Sequence, residues 1–263
     1  KDNPLPAVCG RVCNKRCEDA CTRGTIDEAV AIDDVKRFIA ERDLKAETRY
    51  VPKPIIPSLR GGFDEKIAII GSGPAGLSCA YYLALTGYKP TIFEKNEEPG
   101  GMLRYGIPSY KLEKDLLKAE IDIIKEMGVE IRCGVEVGRD ITIDQLREQG
   151  YKGFYVAIGA QKGRKPGIEN EDADGVYTAV DFLKKAGAEE GFAFEGDVVV
   201  VGGGNVAIDA ARVSSRCTEH GISMYCLEQK EQMPASKDEI AEALAENVSL
   251  NCGWGPKEIL VED

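Results

Sequence analysis

Two short glycine runs are the residues of this chain best suited to chemistry. Gly71-Ser72-Gly73-Pro74-Ala75-Gly76 follows the apolar run Ile67 to Ile70, and Gly202-Gly203-Gly204-Asn205-Val206-Ala207 follows Val198 to Val201. In a G-x-G-x-x-G/A turn between strand and helix, the first glycine permits the sharp turn and the second lets the backbone approach a pyrophosphate. The third lets helix and strand pack closely. The helix start adds unpaired N–H groups and the positive end of its dipole. Each run is followed by a second strand ending in an acid: Glu94, 23 residues after Gly71, and Glu228. A carboxylate at that place accepts hydrogen bonds from ribose hydroxyls. Two complete fingerprints imply two dinucleotides, and a chain holding two commonly moves hydride between them, flavin with nicotinamide being the common pair. A glycine turn without a ligand is the competing reading, and the strand, helix and acid around each run count against it. The expected contact set is Gly71 to Gly76, Glu94, Lys95 and Gly159 for the first nucleotide. For the second it is Gly202, Gly203, Gly204, Asn205, Val206 and Glu228.

Four of the nine cysteines, Cys9, Cys13, Cys17 and Cys21, recur every four residues. On one helix they would form a slanted stripe, but Gly10 and the Pro4 to Pro6 start argue against a continuous helix. The spacing matches neither a C-x-x-C zinc knuckle nor the C-x-x-C-x-x-C ferredoxin run, so the residues alone leave metal binding and plain packing both open. Cys79, Cys133, Cys217, Cys226 and Cys252 sit in apolar contexts and read as packing residues. A disulfide reductase needs a cysteine pair after the first glycine-turn helix or as C-x-x-C in the nicotinamide domain, and neither is present. The single histidine, His220, reads as a helix C-terminal cap, and no Ser/His/Asp or Cys/His arrangement assembles around it. Hydride transfer needs none, because the cofactors carry the chemistry and the protein holds their rings in contact.

The elements that must position these groups alternate in type. Around the first turn the pattern predicts strands at Ile67 to Ile70, Pro90 to Glu94, Val129 to Cys133 and Phe154 to Ile158. Helices are predicted at Ala75 to Thr86 and Leu112 to Met127, with a short one opened by the Thr142/Gln145 capping box. Around the second turn it predicts strands at Val198 to Val201 and Ser223 to Leu227, a helix from Asn205 to Ser215, and one opened by Ser236/Glu239 running to Asn247. A helical pattern from Asp27 to Arg42 covers the Cys-rich start. The fold class is therefore α/β, with two Rossmann-type domains built on parallel doubly wound sheets after a small helical Cys-rich segment. The boundaries are a Cys-rich segment at 1–50, a proline-rich linker at 51–62, a first nucleotide domain at 63–165 and a second at 166–263.

The chain has 45 acidic and 34 basic side chains and a net charge of −11, which repels nucleic acid and anionic membranes alike. The uncharged run Ile67 to Tyr88 is too broken by Gly71, Gly73, Pro74 and Gly76 to span a membrane. No charged start followed by an apolar stretch opens the chain, so the expected compartment is the cytoplasm.

The run Cys9-Gly-Arg-Val-Cys13, Cys17-Glu-Asp-Ala-Cys21, Ile67 to Gly76, Glu97-Glu-Pro-Gly-Gly-Met102 and Tyr105-Gly-Ile-Pro108 resembles the small (β) subunit of glutamate synthase and its relatives. These include the N-terminal part of dihydropyrimidine dehydrogenase and NADH-dependent ferredoxin oxidoreductases. The resemblance implies FAD on the first turn, with Gly101 and Met102 in a loop near the flavin, Lys111 near the cofactor and Val137 near the adenine. It implies an iron–sulfur role, as part of a [4Fe-4S] site, for Cys13, Cys17 and Cys21, with Cys9 the weakest match. It further implies upstream cysteine ligands and a C-terminal continuation that finishes the FAD site, so that this sequence is an internal piece of a longer protein or a subunit completed by others.

The expected function is a module in which a nicotinamide nucleotide reduces FAD and electrons pass to iron–sulfur centres, a ferredoxin-like domain or a partner subunit. A disulfide or thioredoxin-type reductase and a non-catalytic nucleotide-binding subunit are the alternatives. Glu228 favours NADH over NADPH, whose 2′-phosphate is better met by arginines.

Overall fold

The computed structural model describes residues 2–55, 63–189 and 191–261. Within the proline-rich 51–62 stretch, residues 56–62 lie outside the described set. The chain divides into two compact units, Lys1–Arg104 with Ser109–Ala160, and Tyr105–Pro108 with Gln161–Asp263.

The first unit opens with α1 (Pro6–Val12), α2 (Arg16–Asp19), a 3₁₀ turn at Thr22–Thr25 and α3 (Ile32–Leu44). Pro6 sits in the first helical turn, where its missing N–H removes no bond. The cysteines share no single helix, because Cys13 caps α1 in an extended conformation and Lys15 turns left-handed at φ 53°. The expected helix start at Asp27 moves to Ile32. Asp27 turns its carboxylate to the Glu28 N–H at 2.7 Å and to Arg23, a local bond that competes with helix formation. α1 crosses α3 at Gly10, where a Cβ would lie 2.8 Å from the Arg37 Cα. Arg11, almost fully buried, reaches Glu41 at 2.9 Å and Glu113 at 2.5 Å.

The nucleotide fold follows as β1 (Lys66–Ile70), α4 (Pro74–Leu85), β2 (Thr91–Phe93), α5 (Met102–Tyr105), α6 (Lys114–Glu126), β3 (Glu130–Arg132), α7 (Ile143–Glu148) and β4 (Tyr151–Val156). The sheet runs β3-β2-β1-β4, and every pairing is parallel, with Ile69 beside Ile92 on one side and Tyr155 on the other. β1 lies inside the sheet, which is why Ala68 and Ile69 are fully buried and its sequence after Lys66 is an unbroken apolar run, Ile67 to Ile70. α6 buries Leu117, Ile121 and Ile124 at helical spacing, and both halves of the Thr142/Gln145 capping box are made. The last strand begins three residues before the expected Phe154 and stops at Val156. Past it the Ala157 N–H still reaches the Ile70 carbonyl, and the chain then turns at Gly159 with φ +68°.

One buried acid joins the Cys-rich segment to this fold. Glu120 of α6 is 1% exposed, and its two oxygens accept from the Ala7 and Val8 N–H groups at 2.8 and 2.9 Å, capping α1 from 113 residues away. Glu120→Leu removes both acceptors and leaves buried donors unpaired, for an expected loss of about 2–4 kcal/mol in urea unfolding. A loss near zero would show that α1 needs no such cap.

The second unit holds α8 (Ala179–Ala188), β5 (Val198–Val201), α9 (Asn205–Ser214), β6 (Ile222–Cys226), α10 (Lys237–Ala245) and β7 (Ser249–Cys252). Its three strands are parallel in the order β5-β6-β7. Only half of the Ser236/Glu239 box forms: Ser236 accepts from the Glu239 N–H, but the Ser236 N–H is already taken by the Asn205 side chain at 2.9 Å. His220 does not cap α9. It lies six residues past the helix end, with its N–H on Thr218 Oγ1.

α9 and α10 are tied by Arg212, buried between them, which binds Glu246 at 2.7 Å and also Glu242. The hydrogen bond from Arg216 outweighs burial and, with Arg212, draws the Glu246 carboxyl down to about 2. A carboxyl lowered by folding stabilises above its ordinary value near 4.5, and that gain is lost as pH falls toward 2. Glu246→Gln is therefore expected to be less stable by about 1–2 kcal/mol at pH 7, allowing for partial exposure, with most of the difference gone at pH 2.5. Urea unfolding at the two pH values checks this, and a pH-independent difference would contradict it.

Candidate nucleotide-binding sites

Both glycine turns have the same construction. Gly71 has φ +104°, and a Cβ there would lie 2.4 Å from the Ala157 carbonyl oxygen. A Cβ on Gly76 would lie 1.9 Å from the Gly71 carbonyl oxygen, so the third glycine lets α4 approach β1. At Gly73 a Cβ would meet no atom within 4 Å. Gly73 is the N-cap of α4, no side chain caps the helix, and Pro74 follows, leaving the Ala75 and Gly76 N–H groups as first-turn donors. In the second turn Gly202 has φ +141°, Gly204 is the open position and uncapped N-cap of α9, and Ala207 packs where Gly76 does. An open cradle at an uncapped helix start, made twice, fits a pyrophosphate each time.

The acids stand beside the turns. Glu94 is 4% exposed; one oxygen accepts from Ser72 N and Oγ at 2.9 and 2.5 Å, the other from Asn96 N and Nδ2 at 2.9 and 2.7 Å. Burial pushes this carboxyl up, but the Ser72 and Asn96 hydrogen bonds outweigh it and hold it below the usual carboxylate value. Glu94 thus fixes the shape of the turn through Ser72. Glu228 occupies the equivalent place: a Cβ on Gly203, the counterpart of Ser72, would lie 2.8 Å from Glu228 Oε2.

A second loop closes on each turn. The Gly100 N–H donates to Ser72 O and Oγ, both at 3.1 Å, and a Cβ on Gly101 would lie 2.8 Å from Gly73 Cα. Gly101 and Met102 thereby lead into α5 directly beside the first turn. Lys114 donates to the Leu103 carbonyl at 3.0 Å, and burial, with Arg104 nearby, draws its amine down to about 8. At the second turn, Ala235 N donates to Gly203 O at 3.1 Å, and Asn205 holds Ser236. Neither loop contact has a sequence signal beyond Gly100-Gly101. The remaining expected residues lie further out: Lys95 is exposed beside Glu94, Lys111 is half-buried between α5 and α6, and Val206 is half exposed. Val137 packs against the apolar cluster of Ala68, Phe93, Leu146 and Tyr151.

Cys9 lies within α1, Cys13 at its end, Cys17 in α2 and Cys21 at the start of the 3₁₀ turn. Among the described residues no three His, Cys, Asp or Glu side chains converge to hold a metal. The backbone N–H groups of Val30 and Arg23 hold the Cys21 thiol below its usual value, favouring the thiolate. No helix among the described residues is long and apolar enough to cross a membrane.

Comparison with known proteins agrees with this geometry. Residues 65–255 match the pyridine nucleotide-disulphide oxidoreductase family, and residues 1–48 match the dihydropyrimidine dehydrogenase domain II, 4Fe-4S cluster family. The chain is 40% identical to the NADP(+)-dependent formate dehydrogenase subunit beta of Moorella thermoacetica, over 98% of this chain and 39% of that protein. It is 36% identical to the glutamate synthase [NADPH] small chain of Escherichia coli K12, over 98% and 56%. To the NAD-dependent dihydropyrimidine dehydrogenase subunit PreT of Escherichia coli O157:H7 it is 35% identical, over 97% and 61%. The chain thus spans about two fifths to three fifths of the length of these relatives. Mycobacterium tuberculosis FprA in complex with NADPH shares the fold with a TM-score of 0.59 at 23% identity, over 70% of this chain and 48% of that one. The chain belongs to the pyridine nucleotide-disulphide oxidoreductase family, preceded by a 4Fe-4S-type domain, and is a relative of the glutamate synthase small chains.

Proposed function

We propose that this chain is the electron-input module of a flavin enzyme: it accepts hydride from a nicotinamide nucleotide onto FAD and passes the electrons to iron–sulfur centres or a partner subunit. The observation that carries this is the repeated turn, with the same open glycine, uncapped helix start and flanking acid at Gly71 to Gly76 and at Gly202 to Ala207. Bound FAD supplies the hydride-accepting, one-electron-donating chemistry, and the chain's own residues do the holding. In the first turn Ala75 and Gly76 N–H groups face the pyrophosphate space, Glu94 and Ser72 keep the turn rigid, and Gly101 and Met102 border it. Lys95 and Gly159, expected contacts of the first turn, and Lys111 and Val137, which the resemblance implies, complete the flavin set. In the second, Gly204 gives access, Asn205 and Val206 begin the helix, and Glu228 stands where a ribose hydroxyl donates.

Cys13, Cys17 and Cys21, with Cys9 as a weaker member, are proposed to contribute to a [4Fe-4S] site together with ligands outside these residues. The whole enzyme is proposed to work in the cytoplasm with an electron-accepting subunit. The test is anaerobic addition of NADH to the full-length protein: yellow flavin absorbance is expected and is bleached. A colourless protein that binds nucleotide would identify a non-catalytic subunit, and rapid reduction of a thiol reagent would favour a disulfide reductase.

A further inference from the structure

Cys226 and Cys252 occupy the same rung of the parallel β6–β7 pair, and their sulfurs lie 3.8 Å apart. Neighbouring strands lie ~4.8 Å apart, inside the ~4.4–6.8 Å Cα separation that a disulfide spans. With the sulfurs already 3.8 Å apart, rotation of the side chains about Cα–Cβ and a small adjustment of the strands bring them toward a bond of ~2.05 Å. The pair borders the second nucleotide turn: a Cβ on Gly203 would lie 3.2 Å from Cys226 Cβ, and Cys226 Sγ lies 3.5 Å from the Glu228 carbonyl oxygen. Cys226 is buried, while Cys252 keeps partial access to solvent.

We propose that Cys226 and Cys252 form a redox-active dithiol, a modification site that hydrogen peroxide converts to a disulfide. Cys252 Sγ attacks peroxide; the O–O bond breaks, an S–O bond forms, and the first water leaves a sulfenic acid on Cys252. Cys226 Sγ then attacks that sulfur; the S–S bond forms, the S–O bond breaks, and the Cys226 proton leaves with the hydroxyl as the second water. The two thiols lose two electrons and peroxide gains two. The order follows from the surroundings, since burial and the Cys252 contact push the Cys226 thiol up to about 11 and keep it protonated until its partner has been oxidised. Closing the bond also withdraws the Cys226 S–H from the Glu228 carbonyl, placing the oxidised pair next to the acid proposed for coenzyme choice.

The test is peptide mapping of the full-length protein after treatment with a small excess of hydrogen peroxide and alkylation of remaining thiols. The expected result is loss of alkylation at both Cys226 and Cys252 and a linked peptide pair, two hydrogens lighter than its reduced parts, that separates on adding a reductant. Cys226→Ser should stop at a Cys252 sulfenic acid trapped by dimedone, and Cys252→Ser should leave Cys226 alkylated. A wild-type protein in which Cys226 stays free while Cys252 goes on to sulfinic acid, or in which either sulfur bonds to a different cysteine, overturns the proposal.

Discussion

Gly73→Val is expected to fold and to carry no flavin. The backbone at Gly73 has φ −67° and ψ −179°, extended values that a valine adopts without strain, and no atom of the chain lies within 4 Å of the position its Cβ would take. The substitution is therefore silent for folding. It fills only the space over the helix start that a pyrophosphate would occupy, and displacing a tightly held phosphate pair should weaken FAD by about a hundredfold or more, roughly 3 kcal/mol. Gly76→Ala gives the opposite pattern. Its Cβ would sit 1.9 Å from the Gly71 carbonyl oxygen, so flavin is lost together with the packing of α4 on β1. The flavin-to-protein ratio, measured beside the thermal melt of each apoprotein, separates the two. A Gly73→Val protein with normal flavin content would remove this turn from the site.

The parts of this arrangement that were legible in the sequence are those with a local signature. The glycines of each turn, the apolar runs before them and the acids after the second strands sit within about 30 residues of one another, and the strands and α6 follow their periodicities. Contacts between distant residues left no such mark. Glu120 reaches α1 across 113 residues, Asn205 reaches Ser236 across 31, and Cys226 meets Cys252 across 26, each because helix packing or strand order brings together segments whose sequences look ordinary. Glu120 was visible only as one acid on an amphipathic helix. The half-formed Ser236/Glu239 box shows the same effect in reverse: the local signal was right, and a distant side chain had already taken one donor. α8 went unread because nothing before Ala179 marks its start except Thr178, whose side chain caps it by accepting from Asp181 N. Ser72 is the informative case at the site. Its position in the fingerprint is formally free, yet its hydroxyl and amide carry Glu94's hold on the turn, while Gly203 at the equivalent place leaves the Glu228 carboxylate without that partner.

That difference bears on coenzyme choice, where NADH is expected to bind about ten- to a hundredfold more tightly than NADPH. Glu228 lies just past the end of β6, with Oε2 against Gly203, at the place where the fingerprint sets a ribose acceptor. A carboxylate there accepts from the 2′- and 3′-hydroxyls of NADH but faces a second negative group in the 2′-phosphate of NADPH. Like charges at such a separation, partly desolvated, cost on the order of 1–3 kcal/mol. Lys230, in the short helix Lys230–Gln232, is close enough in sequence to soften that repulsion, so the expected outcome is a preference rather than exclusion. The relatives carry both coenzymes in their names, NADP(H) for the formate dehydrogenase and glutamate synthase subunits and NAD for the dihydropyrimidine dehydrogenase subunit, so family membership leaves the choice to residues such as this one. Glu228→Arg replaces the repulsion with a guanidinium that pairs bidentately with a phosphate, and it should narrow or reverse the preference while leaving flavin content unchanged. Titrating both nucleotides against wild type and Glu228→Arg in the full-length flavoprotein decides the matter. Equal affinities in the wild type, unmoved by the substitution, would show that Glu228 does not meet the coenzyme.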